Sequence, residues 1–181
     1  MTSAFLDLET LSRRPDAIIT EIALISVDTA APYQPIIDEL VLLPCIVAQL
    51  LEGRHHDQET LAWHRKQGTL PLPDTKRQDL NTTAFLIRDF FKKHQPERVW
   101  IQGPDFDRPI LESFLKLCGN QPGGEPLPWQ YWQVRDARTA WKLAYGEEKP
   151  AKRPHSALAD AHLTRAATMA ALTELGRLSA L

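Results

Sequence analysis

The first 43 residues carry the hydrophobic pattern of three consecutive β-strands. In AFLDLE, residues 4–9, alternation places Phe5, Asp7 and Glu9 on one face and two leucines on the other. The segments IITEIALISV and IIDELVLL, residues 18–27 and 36–43, are rich in β-branched residues and are separated by turn-forming residues. Because the connections are short, the pattern predicts an antiparallel meander.

The rest of the chain alternates predicted helices with short strands. We expect strands in RVWIQG and WQYWQV, and helices in the segments DQETLAWHRKQG, NTTAFLIRDFFKKH, DRPILESFLKLCG, DARTAWKLAYG and HSALADAHLTRAATMAALTELGR. The predicted caps are Asp57 at the start and Gly68 at the end of the first helix, and Asn81 or Thr82 at the start of the second. This order predicts an α/β fold with a mixed sheet, in a single domain over residues 1–181.

Length and composition are those of a globular protein. The 181 residues can bury a substantial core, and 43% hydrophobic with 24% charged residues is ordinary for a soluble domain. No basic leader precedes the first strand and no apolar run approaches about 20 residues, which favours a cytoplasmic protein. The two cysteines, Cys45 and Cys118, lie in apolar contexts and are expected to be reduced thiols.

The formal net charge of −2 does not exclude a nucleic-acid partner. It is the balance of 21 basic and 23 acidic side chains. If four carboxylates bind divalent cations, the balance of the remaining side chains is 21 − 19 = +2.

Acidic side chains stand at the ends of two predicted strands. Asp7 and Glu9 share one face of the first strand, so both carboxylates can reach one point in space. Asp107 follows the strand RVWIQG at the start of a helix, and we expect Asp105 to cap that helix. Taken alone, the first pair could be a solvated strand face, and either Asp105 or Asp107 could simply be the cap of the helix.

A third acidic position lies at the start of the last predicted helix. His155 precedes Asp160 by five residues, and small residues such as Ala157 and Thr164 share the helix side of Asp160. Small neighbours would let this helix pack close to the sheet. Taken alone, an aspartate in an alanine-rich helix more often faces solvent.

In this order, D-L-E, G-P-D-F-D and H-S-A-L-A-D resemble the three motifs of the DEDD 3′→5′ exonucleases, over residues 4–170. The H-x-A-x-x-D spacing matches the histidine subtype, since the tyrosine subtype would need a tyrosine at Ser156. The segments GRHHDQETLAWHRKQ and PWQYWQVRDARTAW resemble a compact bacterial and phage subgroup, which includes exoribonucleases and a phage DNA exonuclease.

The resemblance implies a fold and an activity. The fold would be ribonuclease-H-like, with three N-terminal antiparallel strands and further parallel strands in one central mixed sheet flanked by helices. The activity would be metal-dependent removal of nucleoside 5′-monophosphates from a single-stranded 3′ end or overhang, with RNA favoured. Two alternatives stay open: a DNA exonuclease, and a non-catalytic exonuclease-like module that binds nucleic acid or a polymerase.

The resemblance also implies roles for individual residues. Two Mg²⁺ or Mn²⁺ ions would be held by Asp7, Glu9, Asp107 and Asp160, because hard oxygen ligands suit these ions and a pair of them suits phosphodiester hydrolysis. His155 would act as general base, since histidine changes charge near neutral pH.

Candidate substrate contacts are Thr10, Trp63, Arg135, Arg138, Lys152 and Arg153. Tryptophans can stack on the bases of a single strand, although each of Trp63, Trp129, Trp132 and Trp141 is more simply a core residue. His64 and His94 are expected at the surface, His162 is a weaker candidate base than His155, and a homodimer is possible.

Overall fold

The computed structural model describes residues 1–31, 33–70, 76–119, 127–146 and 154–178. Its strands are β1 (Thr2–Thr10), β2 (Ile19–Asp28), β3 (Ile36–Leu42), β4 (Arg98–Ile101) and β5 (Val134–Asp136). Its helices are α1 (Ile46–Leu51), α2 (Gln58–Gln67), α3 (Leu80–His94), α4 (Pro104–Leu117), α5 (Ala137–Tyr145) and α6 (Ala157–Leu178).

The strands form one mixed sheet in the order β3-β2-β1-β4-β5. The N-terminal three strands pair antiparallel, whereas β4 runs parallel to β1 and β5 runs parallel to β4. The predicted mixed sheet, with three N-terminal antiparallel strands and further parallel strands, is therefore confirmed, and β1 is its central strand. Since β1, β4 and β5 point the same way, the residues that follow them meet at one edge of the sheet.

Two apolar layers cover the two faces of this sheet. Leu6 and Leu8 of β1 pack with residues of α3 and α4 such as Ile87 and Phe114. Phe5 belongs to the opposite face, together with apolar residues of α5 and α6. The side chains of β1 alternate between the layers because successive residues of a strand point to opposite faces. Asp7 and Glu9 therefore share the face of Phe5, on which α6 lies.

Two helix starts differ from the predicted ones. Helix α3 begins after Asp79, whose carboxylate accepts a hydrogen bond from Thr82 N at 2.9 Å, so neither Asn81 nor Thr82 is the cap. The predicted cap Asp105 lies inside the first turn of α4, which begins after Gly103 without a side-chain cap. Proline at the first position of α4 has no N–H to satisfy, which reduces the need for such a cap.

Helix α2 begins and ends as predicted. Asp57 accepts a hydrogen bond from Thr60 N at 2.6 Å, and Gly68 ends the helix with a φ of 73°. A left-handed residue of this kind favours glycine because it has no Cβ.

Other sequence expectations need adjustment. The predicted strand WQYWQV is wrong except at Val134, because Tyr131–Gln133 form a 3₁₀ helix and β5 covers Val134–Asp136. Helix α1 was not predicted. Trp129 is buried, but Trp132 is 58% exposed and is not a core residue. Phe85, expected on the apolar side of α3, is also largely exposed. None of the helices in the described part of the chain combines the length and hydropathy that a membrane span requires.

Both cysteines are free thiols, as expected. Each is only partly buried, so neither is a full core residue. Burial nevertheless raises the pKa of Cys118 to about 11, and this thiol stays protonated at neutral pH.

Candidate active site

The end of strand β1 presents two carboxylates to the face that α6 covers. Asp7 is buried, and Glu9 is partly exposed. The residue opposite Asp7 in β2 is Ala23, which leaves room for an acidic side chain on this face. Asp7 and Glu9 therefore lie next to each other on the face that α6 also packs against.

Helix α6 brings a third carboxylate and an imidazole to Glu9. Ligand atoms of Glu9, His155 and Asp160 all lie within 4.8 Å of one another. Asp160 is 2% exposed, and its neighbours Ala157 and Ala161 are fully buried, so α6 packs closely against the sheet. These residues are 146 or more positions from Glu9 in sequence, and only packing brings them together.

Asp107 reaches the same edge of the sheet from another element. It is 4% exposed and lies in the first turn of α4, directly after β4. Because β4 is parallel to β1, Asp107 stands beyond the same strand ends as Asp7 and Glu9. Asp7 and Asp107 lie at this edge of the sheet. They are not in the group of side chains whose ligand atoms lie within 4.8 Å of one another, which comprises Glu9, His155 and Asp160.

The donor set suits hard divalent cations. Carboxylate oxygens, of the kind that Asp7, Glu9, Asp107 and Asp160 offer, are the ligands that Mg²⁺ and Mn²⁺ prefer. Converging acidic groups repel one another, so bound cations would stabilise them. The residues present therefore fit the metal ions that the sequence motifs imply.

His155 is held in an uncommon backbone conformation. Its φ is 59°, in the left-handed region that few non-glycine residues adopt. The indole of Trp63 contacts its imidazole edge-on, with 4.5 Å between ring centroids. Trp63 is 37% exposed, so it is not a core residue and its ring is accessible beside the cluster.

His64 is buried, contrary to the expected surface position. Its Nε2 donates a hydrogen bond to the Thr10 carbonyl at 2.9 Å, because a carbonyl can only accept. Its Nδ1 lies 2.7 Å from the Thr69 hydroxyl. The side chain of His94 is also mostly buried, and it bonds to Asp38 at 2.9 Å. His64 ties helix α2 to the end of β1.

A cavity of about 340 Å³ opens beside Glu9. Residues from the end of β1, from the loop that follows it, from α2 and from α4 line this cavity: Leu8, Glu9, Thr10, Ser12, Arg13, Glu59, Thr60, Trp63, His64 and Phe106. The sequence analysis singled out Thr10 and Trp63 but missed Arg13, His64 and Phe106. Phe106 stands between the two aspartates of G-P-D-F-D, which was the available signal.

The polar groups of Thr10 already have protein partners. Its hydroxyl donates to the Ser12 carbonyl at 2.7 Å, and its carbonyl accepts from His64. Thr10 is 7% exposed, so it presents a small part of its surface to the cavity.

The two arginines of V-R-D-A-R differ in their surroundings. Arg135 donates to the carbonyls of Trp132 and Val134, at 2.5 and 2.9 Å, so its guanidinium is bound to its own segment. Arg138 is exposed at the start of α5, and its guanidinium lies beside Gly103, at the end of β4. Arg138 thus stands at the same edge of the sheet as the acidic cluster, and Lys152 and Arg153 lie outside the described residues.

The remaining histidines belong to other contacts. His162 pairs with Glu39 of β3 at 3.1 Å, which removes it from the cluster. His55 lies 2.7 Å from the Ser12 hydroxyl, and the neighbouring Asp57 caps α2.

The comparisons with known proteins point to nucleases. A family described as "3'-5' exoribonuclease Rv2179c-like domain" matches residues 2–172. A solved structure titled as a full-length 3'-exonuclease is 12% identical, with a TM-score of 0.59, and the match covers 93% of this chain and 59% of that one. The structure of cell-death related nuclease 4 (CRN-4) is also 12% identical, with a TM-score of 0.55, and the match covers 97% of this chain and 64% of that one.

At this identity the structural likeness shows the fold. The chain spans less than two thirds of the length of either solved protein. The search of curated protein sequences gave no match.

Proposed function

Since the chain belongs to the Rv2179c-like 3'-5' exoribonuclease domain family, and is thus a 3′→5′ exonuclease domain, we propose that it hydrolyses single-stranded RNA from a free 3′ end. The reaction depends on two Mg²⁺ or Mn²⁺ ions and releases nucleoside 5′-monophosphates. The observation that carries the proposal is the meeting of Glu9, His155 and Asp160 within 4.8 Å, beside a cavity that Glu9 also lines.

The cavity beside Glu9 receives the 3′-terminal nucleotide. Its volume of about 340 Å³ lies in the range of small-ligand sites, and its indole and phenyl rings, from Trp63 and Phe106, offer apolar surface to a base. One nucleotide in this cavity puts the scissile phosphate next to Glu9, which gives the 3′→5′ direction.

The acidic residues would hold the divalent cations of the site. Asp7, Glu9, Asp107 and Asp160 are the proposed ligands, and the ions, when bound, would supply electrostatic stabilisation to the reacting oxygens. His155 accepts the proton of the attacking water. The bond between phosphorus and the 3′ oxygen of the preceding nucleotide breaks, and that oxygen takes up a proton from solvent. The phosphate stays on the 5′ oxygen of the released nucleotide.

Arg138 is the proposed contact to a phosphate of the remaining strand. Among the residues that the structure describes, the guanidinium has no hydrogen-bond or ion-pair partner. It lies beside Gly103. A planar guanidinium binds phosphate well. Arg135 is a weaker candidate for a phosphate contact, because its guanidinium already binds two carbonyls. The roles of Lys152 and Arg153 as substrate contacts stay predictions.

The experiment is digestion of matched RNA and DNA oligonucleotides that carry a 5′ label. Wild-type protein with Mg²⁺ or Mn²⁺ should shorten RNA stepwise from the 3′ end, release 5′-monophosphates and stop when EDTA is added. Asp7→Asn should be inactive, while Asp89→Asn, which changes an exposed aspartate of α3, should be active. DNA digested faster than RNA would support the DNA alternative, and tight binding without cleavage would support the non-catalytic one.

The possible homodimer stays a prediction. Light scattering coupled to size-exclusion chromatography measures the mass of the particle in solution and separates a monomer of 20.5 kDa from a dimer.

A further inference from the structure

Glu21 of strand β2 stands directly opposite Glu9 of β1 in the register of the sheet. Side chains of such a pair point to the same face and lie close together. Two like charges in this position destabilise a sheet unless each has a compensating partner. Glu9 faces the acidic cluster, so the negative charge of Glu21 needs a partner elsewhere.

The carboxylate of Glu21 accepts hydrogen bonds at the beginning of α6. Its Oε1 lies 3.3 Å from the Ser156 hydroxyl and 3.4 Å from Leu158 N. Leu158 is the second residue of α6, and the first N–H groups of a helix have no partner within it. A negative charge is also favourable at this end of the helix dipole. Glu21 thus caps α6 from a neighbouring strand.

The residues that Glu21 binds, Ser156 and Leu158, lie between two residues of the site, His155 and Asp160. Ser156 follows His155 directly, and the Ser156 carbonyl accepts a hydrogen bond from Asp160 N at 2.8 Å. His155 has a φ of 59°, a conformation that the surrounding structure must hold in place. Fixing Ser156 and the first turn of α6 therefore fixes where both His155 and Asp160 point.

We propose that Glu21 is a positioning residue for the reaction: by binding Ser156 and Leu158, it orients His155 towards Glu9 and Asp160. The inference rests on the proposed function, and Glu21 itself contacts neither substrate nor cation in this role. The two opposed glutamates of the sheet therefore have different roles: Glu9 belongs to the acidic cluster, and Glu21 binds the start of helix α6, which completes that cluster.

The kinetic test compares two substitutions of Glu21. Glu21→Ala removes the acceptor and should lower kcat on an RNA oligonucleotide by about 10- to 100-fold, because a misplaced general base loses part of its effect. KM should change less than about 3-fold, because the cavity for the terminal nucleotide is untouched. Glu21→Gln keeps an oxygen acceptor in the same place and should restore kcat to within about 5-fold of wild type.

Glu39→Ala is the matched control. Glu39 is also a strand carboxylate that contacts α6, through His162 at 3.1 Å, but that contact lies away from the cluster. Its removal should leave kcat unchanged. Ser156→Ala removes one of the two donors to Glu21 and should lower kcat by a smaller factor, which keeps the test usable if Glu21→Ala does not fold.

A second measurement uses protein without metal or substrate. Amide hydrogen exchange of residues 157–161 should be faster in Glu21→Ala than in wild type, and close to wild type in Glu21→Gln and Glu39→Ala. Exchange elsewhere in α6 should change little.

The outcomes separate this inference from the proposed function. Inactive wild-type protein would overturn the proposed function, whereas the exchange measurement would still test the cap. Active wild type with unchanged kcat in Glu21→Ala would overturn the positioning role. So would Glu21→Gln as impaired as Glu21→Ala, or an equal loss in Glu39→Ala.

Discussion

The indole of Trp63 stands edge-on to the imidazole of His155, with 4.5 Å between ring centroids and 85° between the ring planes. Trp63 also lines the cavity beside Glu9, and its ring makes an edge contact with the ring of the buried His64, with 4.9 Å between centroids. One side chain therefore contacts both the proposed general base and the proposed site of the terminal nucleotide. Through Trp63, helix α2 therefore contacts both His155 and the cavity.

Replacing Trp63 should affect binding and turnover together. Trp63→Ala removes a stacking surface for the base, worth about 1–3 kcal/mol, and should raise KM for RNA by about 5- to 100-fold. It also frees one side of His155, so kcat should fall. Trp63→Phe keeps an aromatic ring, so its KM and kcat should lie between those of the wild type and of Trp63→Ala. Steady-state kinetics on a labelled oligonucleotide measures both values, and wild-type kinetics in Trp63→Ala would contradict this role.

Asp105 and Asp107 are a matched pair of residues for testing whether Asp107 binds the proposed metal ions. They are two residues apart in the first turn of α4, but Asp105 is exposed and Asp107 is 4% exposed. Mn²⁺ should raise the melting temperature of the wild type, and Asp107→Asn should reduce this rise and lower kcat by at least about 100-fold. Asp105→Asn should keep both properties. Equal behaviour of the two variants in thermal shift assays and kinetics would remove Asp107 from the metal site.

Arg54 stabilises the loop that borders the cavity. This buried side chain donates from Nε to the Ala17 carbonyl at 2.9 Å and from Nη1 to the Ser113 hydroxyl at 3.3 Å, and it lies over the ring of Phe114. Burial lowers the pKa of Arg54 to about 10, so the group stays charged at neutral pH. Arg54 therefore joins the β1–β2 loop to helix α4.

Arg54→Lys should destabilise the fold. A lysine cannot reproduce the fork of donors, and the loss of about 2 kcal/mol should lower the melting temperature by about 4–8 °C. Arg14→Lys is the control, because Arg14 pairs with Asp16 at 2.9 Å on the exposed surface and such pairs contribute less than about 1 kcal/mol. Differential scanning calorimetry compares the two. Similar melting temperatures in both variants would show that the buried contacts of Arg54 contribute little.

Asp38 should make stability depend on acid pH. Hydrogen bonds from Lys93 at 2.7 Å and from His94 at 2.9 Å lower the pKa of Asp38. A carboxyl whose pKa is lower in the folded protein stabilises the fold above its unfolded pKa, and this contribution is lost as pH falls through the folded value. The loss therefore occurs below about pH 4.

Asp38→Asn removes this contribution. Because Asp38 is partly exposed, the variant should melt less than about 4 °C below wild type at pH 6. The difference should shrink as the pH is lowered from 4 to 3. Melting curves by circular dichroism over this range test it, and a difference that grows towards acid pH would mean that the pKa of Asp38 is not lowered by folding.

Local sequence patterns were sufficient for the first four strands and for the order of the acidic motifs. Alternation within AFLDLE sets which residues of β1 share a face, and this depends only on neighbours two positions apart. The caps of α2 are local in the same sense, since Asp57 bonds to Thr60. At the start of α3 the pattern was wrong, because it favoured Asn81 or Thr82 as the cap, whereas Asp79 caps the helix.

The tertiary structure decided which distant side chains complete the site. His64 binds the Thr10 carbonyl across 54 positions, and Ser156 binds Glu21 across 135. No periodicity relates residues so far apart, because their contact depends on how helices pack on the sheet. The sequence by itself determined the order of the acidic motifs and the face of β1 that carries Asp7 and Glu9. Packing alone determined the partners of His155, since those contacts form only after α2 and α6 lie against β1 and β2.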